Sequence, residues 1–139
     1  MTIKEIKGIY VGTDGTIETR TIPKSETHFE QNQHIYQMLD IECLEIVSKS
    51  FGRQKRRFTI ICDDEGALKE NPIPTVFGQC NRNVQIFGNC FICSNDGPEL
   101  ESLTIEEAGY IVCECVGCVG EFAEDCYPMN MRLILKDVF

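Results

Sequence analysis

Hydrophobic and β-branched residues gather in two runs at the start of the chain, Ile6 to Val11 and Thr16 to Ile22. Between them stands Thr13-Asp14-Gly15, whose Asp-Gly pair tolerates the positive φ of a tight turn, so the pattern predicts an N-terminal β-hairpin. Pro23 stops the second strand. Thr27 with Glu30 three residues later has capping-box spacing, and Phe29, Tyr36 and Leu39, with Ile35 beside them, return at helical intervals. A first helix is therefore expected through Leu39.

Cys43 to Val47 and Phe58 to Cys62 have the composition of two further strands, with Ser48 to Arg57 as an exposed connection rich in charge. Asp63-Asp64-Glu65-Gly66 supplies turn chemistry, and Pro72 and Pro74 predict an irregular loop over Leu68 to Val76. Val84 to Cys93 is the most apolar stretch of the middle of the chain and is expected to cross the sheet centre, ending at Asn95-Asp96-Gly97-Pro98. A second capping box, Thr104 with Glu107, precedes Ile105, Ala108, Val112, Cys115, Val119 and Phe122, which step by three and four. These steps predict a helix from about Ile105 to Phe122, weakened by Gly109, Gly117 and Gly120, with a strand over Tyr110 to Val116 as the alternative. Met129, Met131, Leu133 and Leu135 alternate with Asn130, Arg132, Ile134 and Lys136, as expected of a closing C-terminal strand. Together the elements predict an α+β fold: a small mixed or antiparallel sheet with an N-terminal β-hairpin, two helices and a closing strand.

A length of 139 residues, 42% of them hydrophobic, suits one domain over residues 1–139 with a single core. Lys4, Glu5 and Lys7 interrupt the N-terminal apolar residues, so a signal peptide is not expected there, and no segment approaches the roughly 20 apolar residues of a membrane helix. A cytoplasmic protein is the expectation. Nine cysteines are many for this length, but the number is odd and no export signal accompanies them, which favours free thiols over a disulfide framework. Charge is unevenly placed within the net −9. From Asp96 onward ten acids face only Arg132 and Lys136, a local net of −8, whereas twelve acids and eleven bases precede Asp96, a net of −1. Such an acidic segment repels nucleic acid and attracts basic surfaces, unless it serves solubility alone.

Candidate chemistry is sparse. Cys90 and Cys93, then Cys113, Cys115 and Cys118, with Cys126 close behind, suggest a zinc site, which needs four converging ligands. Against it, Cys90 and Cys93 fall in an apolar strand, where an odd separation sends side chains to opposite faces, and Cys115 belongs to the helix's apolar stripe. Buried free thiols are the preferred reading. His28 and His34 lie six residues apart, on different sides of a helix, and fit its surface better than a metal or acid–base pair. Asp63-Asp64-Glu65 lacks the alternating acids of a calcium loop and reads as a solvated turn. Arg53-Gln54-Lys55-Arg56-Arg57, flanked by Phe51 and Phe58, is the one basic cluster and gives a nucleic-acid binder as an alternative function, although a solvated loop tip is the simpler account. No P-loop, Gly-x-Ser-x-Gly elbow or His-Glu-x-x-His helix is present in the sequence, and no catalytic residue, metal ligand or cofactor is assigned.

Four stretches also share an order with a known family: Ile3 to Ile22; Phe58-Thr59-Ile60-Ile61-Cys62-Asp63-Asp64-Glu65-Gly66-Ala67-Leu68 with Pro72 to Thr75; Val84-Gln85-Ile86-Phe87-Gly88-Asn89-Cys90-Phe91-Ile92-Cys93; and Glu101-Ser102-Leu103-Thr104-Ile105-Glu106-Glu107. Over about residues 3–110 the chain resembles the domain-of-unknown-function 3846 family. Where members of that family often carry Asn-Arg after the proline, this chain has Thr75-Val76, and the segment from about Ile111 to Phe139 reads as an added C-terminal extension. The resemblance implies a small protein of a bacteriophage, plasmid or other mobile element, with no activity common to its members. Joined to the charge asymmetry, it gives the expectation of a non-catalytic protein that binds a host or defence protein through Glu106, Glu107, Glu121, Glu124 and Asp125.

Overall fold

The N-terminal hairpin forms as its pattern requires: β1 (Glu5–Val11) and β2 (Ile17–Pro23) pair antiparallel from Glu5↔Pro23 to Val11↔Ile17. The structure is a computed structural model and describes residues 4–51, 56–70, 72–78, 84–97, 99–118 and 131–135. Helix α1 (His28–Leu39) follows, with the Thr27 hydroxyl accepting the Glu30 N–H at 3.2 Å and Asp40 closing the helix in the left-handed region at φ 55°. Its buried stripe is Gln31, Ile35 and Leu39, and Phe29, expected on that stripe, is 73% exposed instead. Gln31 is buried because both ends of its amide are used: Nε2 donates to the Pro23 carbonyl and Oε1 accepts the Ser25 N–H.

Strands β3 (Leu44–Phe51) and β4 (Arg56–Asp63) pair without a register break over all eight residues, from Leu44↔Asp63 to Phe51↔Arg56. Ser48 to Phe51 and Arg56 to Arg57 therefore belong to the ladder and not, as expected, to an exposed connection. A 3₁₀ turn (Gly66–Leu68) leads to β5 (Pro74–Gly78), so the expected irregular loop is only partly loop. Pro74 opens that strand, a position where a missing N–H is tolerated.

The apolar stretch from Val84 to Cys93 is not one strand. Gly88, at φ 86°, turns the chain between β6 (Val84–Phe87) and β7 (Cys90–Asp96), which lie in different sheets. Only β7 takes the central place, between β1 and β4, and its outer half forms a hairpin with β8 (Glu99–Glu101) around Gly97. Helix α2 (Ile105–Glu114) carries a complete capping box, in which the Thr104 hydroxyl accepts the Glu107 N–H and the Glu107 carboxylate accepts the Thr104 N–H.

α2 stops well short of Phe122, because β9 (Val116–Cys118) begins almost at once and pairs with β10 (Met131–Leu135). Gly117 suits that strand and not a helix: a Cβ there would come within 2.8 Å of Ile134 Cδ1. The alternative of a strand over Tyr110 to Val116 does not hold, since the chain is helix through Glu114.

Two sheets result. The larger has the order β2-β1-β7-β4-β3 with β8 extending β7's edge, all antiparallel, and the smaller has the order β6-β5-β10-β9, parallel only between β5 and β10. Alternation along the central strands sends Ile9, Val11, Ile60, Cys62, Cys90 and Ile92 to one face, where Val76, Ile86, Leu133 and Leu135 of the small sheet and Ile111 and Cys115 of the α2 segment meet them. Tyr10, Ile61, Phe91 and Cys93 point the other way, onto Ile35 and Leu39 of α1. The fold is thus α+β and mostly antiparallel, with the large sheet between a helix and a second sheet. Phe51 stacks on Phe58 at 4.5 Å between ring centroids and on Tyr110 of α2 at 6.3 Å, fixing the helix over the end of β3.

Candidate interaction surface

α2 presents more apolar side chains than its inner face can bury. The expected stripe of Ile105, Ala108, Val112 and Cys115 is rotated: Ala108, Ile111 and Cys115 meet the core, while Ile105 is 93% and Val112 40% exposed. Cys113 is exposed beside Val112, and Gly109, one turn after Ile105, has open space above its Cα. These residues sit at intervals of four, three and one and so line one outward face of the helix. Glu106, also exposed, lies beside that face without an ion pair among the described residues. The signal in the sequence was surplus: Ile105, Ala108, Tyr110, Ile111, Val112, Cys113 and Cys115 exceed what one stripe of a short helix needs.

Of the five acids expected to bind a partner, Glu106 is exposed and Glu107 is half-buried in the capping box. Glu121, Glu124 and Asp125 lie outside the described residues. Two other acids of the C-terminal third are already matched: Lys24 reaches Glu99 and Glu101 at 3.3 Å each, and those hydrogen bonds, Glu101's first, hold its ammonium pKa above the ordinary lysine value. The acidic surplus is therefore concentrated at α2 and beyond, and not spread evenly from Asp96.

The cysteines separate as strand geometry demands. Cys90 and Cys93 point to opposite faces of the large sheet, and both are fully buried. Burial pushes the Cys62 and Cys93 thiols up to about 12 and raises Cys90 further in the same direction, so all three are held as neutral core side chains. Cys43 and Cys113 are exposed. Among the described residues no group of three or more His, Cys, Asp or Glu side chains converges as a metal site. The Cys118 side chain and Cys126 lie outside them.

His28 is exposed at the start of α1 and His34 is half-buried on it. In the acidic turn, Asp63 is buried and not solvated as expected: its carboxylate accepts the Glu65 N–H at 3.0 Å and pairs with Lys69 at 2.6 Å. Thr75 is fully buried and donates to the Gly88 carbonyl at 2.7 Å, tying β5 to the corner between the two sheets. Arg53 to Lys55 lie outside the described residues, and Arg57 is exposed on β4.

These features define a small two-sheet α+β module whose outward α2 face combines unburied apolar side chains with the exposed carboxylate of Glu106. The model of one family, described as a domain of unknown function (DUF3846), matches residues 6–114, and the chain belongs to that family. The match ends at the last residue of α2, so β9 and β10 lie beyond it. No curated protein and no solved structure matches the chain. No helix among the described residues is long and apolar enough to cross a membrane.

Proposed function

We propose that this chain is a non-catalytic protein of a bacteriophage or other mobile element that binds a host or defence protein, and that α2 with the acidic segment after it forms the docking surface. The observation that supports this most directly is Ile105, 93% exposed at the first position of a capped helix and flanked by Glu106. Among the described residues nothing in the packing requires an isoleucine there, whereas an apolar anchor with an acidic rim suits a basic partner surface that carries its own apolar contact.

Affinity purification from the host with the intact chain tests the reading. A specific protein should be recovered, and its retention should weaken with added salt. Ile105→Ser should reduce recovery, and so should the combined change of Glu106, Glu107, Glu121, Glu124 and Asp125 to Gln. Glutamine at 107 keeps the capping bond while removing the charge, so the fold is preserved. Recovery and salt dependence that are the same for both variants and the parent would refute the docking surface.

A further inference from the structure

We propose that β3 is a homodimerisation edge, at which two copies of the chain pair antiparallel about a two-fold axis through Val47. β3 is eight residues long and, among the described residues, has a strand partner on one side only, β4. Its register with β4 contains no bulge, so among the described residues the free side is a regular ladder of N–H and C=O groups without a strand partner. Such an edge is a template for another strand, and natural sheets usually shorten, bend or cover it. The edge strands of the small sheet are managed in those ways. β6 has four residues and an irregular register, and β9 has three. β2, the opposite edge of the large sheet, is also long and regular, but it ends in Pro23 and its Glu18 and Arg20 are already paired with each other at 2.6 Å, with Arg20 also over the Tyr10 ring at 3.7 Å.

The side chains on β3 select the partner. Glu45 and Lys49 flank Val47 at equal distances along the strand, share its face of the sheet, and have no ion pair among the described residues. Antiparallel self-pairing centred on Val47 places Glu45 of each copy opposite Lys49 of the other, twice over, with Val47 facing Val47. On the other face, Ile46 is 55% exposed and comes diagonal to its counterpart. A strand that is complementary to itself in charge and centred on a β-branched residue fits a second copy of the same chain, through an isologous and closed contact. The two large sheets then become continuous across the axis. This contact is independent of the α2 surface.

A charge exchange in the full chain tests it. Sedimentation velocity should show a species of twice the 15.8 kDa chain mass whose fraction rises with concentration. Glu45→Lys and Lys49→Glu, each alone, put like charges opposite one another at two places and should weaken the dimer roughly tenfold or more. The double variant restores both pairs and should dimerise like the parent. An equimolar mixture of the two single variants should also dimerise, since each then faces its complement. Circular dichroism identifies any variant that is unfolded. A parent that stays monomeric at the highest concentrations reached, or a dimer indifferent to both single variants, would overturn the proposal.

Discussion

Leu133 lies beyond the stretch shared with the family, yet it is fully buried where the small sheet meets the large one. Leu133→Ala removes about three carbon groups from that interface at ~0.8 kcal/mol each, or roughly 2.4 kcal/mol before the cavity is counted. The cavity adds to this, because Val76, Ile86 and Ile60 in the same cluster are held by their own strands and collapse only partly. A total of about 2–5 kcal/mol is expected, against a stability of about 5–15 kcal/mol for a domain of this kind. Urea unfolding followed by far-UV circular dichroism measures it, with tyrosine fluorescence as the second probe because the chain has no tryptophan. Coincident transitions and an unchanged slope would show that stability, and not denatured-state compactness, has changed. Ile105→Ala is the control: its side chain is 93% exposed, and its effect should stay within about 0.5 kcal/mol. If Leu133→Ala costs less than about 1 kcal/mol, β10 is not part of the cooperative core and the reasoning fails.

Thr104→Ala should cost about 1 kcal/mol in the same assay by leaving the Glu107 N–H uncapped, whereas Glu107→Gln should cost less because the amide oxygen can still accept. The buried thiols give a pH dependence whose sign follows from their raised pKa. Folded Cys62 and Cys93 stay neutral up to about 12, whereas the same thiols ionise near the ordinary value of 9.0 when unfolded. Their contribution to stability is therefore full below about pH 9 and is lost as pH climbs from there toward 12. Unfolding midpoints measured across that window should fall, and should fall less steeply in Cys93→Val; an equally steep fall in both would show that this thiol contributes nothing to the loss.

Local chemistry wrote the beginnings of elements plainly and their ends poorly. The Asp14-Gly15 turn, both Thr caps and the alternation of Leu133 and Leu135 with Arg132 and Ile134 involve neighbours in sequence, and each is where its pattern placed it. Two failures came from partners distant in sequence. The apolar run from Val84 to Cys93 gives no sign that two different sheets need its halves, apart from the single Gly88. Likewise the periodicity of 105, 108, 112, 115, 119 and 122 was internally consistent, but the buried phase was set by what α2 packs upon, which favoured Ile111 over Val112. The same ambiguity concealed the candidate surface, since Ile105 reads as core until the face of the helix is known. Asp63 shows the converse error: three adjacent acids suggested a solvated turn, and Lys69 with the Glu65 N–H made it possible to bury the first of them.

The parallel pairing of β5 with β10 also governs the order in which the protein can be assembled. All strands of the large sheet have been made once Glu101 is polymerised, and α1 is available to cover one of its faces by then. The opposite face is in a different position. Val76 and its strand wait for Leu133, nearly sixty residues later, which at ~5–20 residues per second is an interval of roughly 3–11 s. During synthesis, then, a nascent chain with a nearly finished sheet displays one bare side of Ile9, Ile60 and Ile92 until the last strand slots between β5 and β9. The feature that completes the core thereby leaves an apolar face of the emerging polypeptide open for that interval.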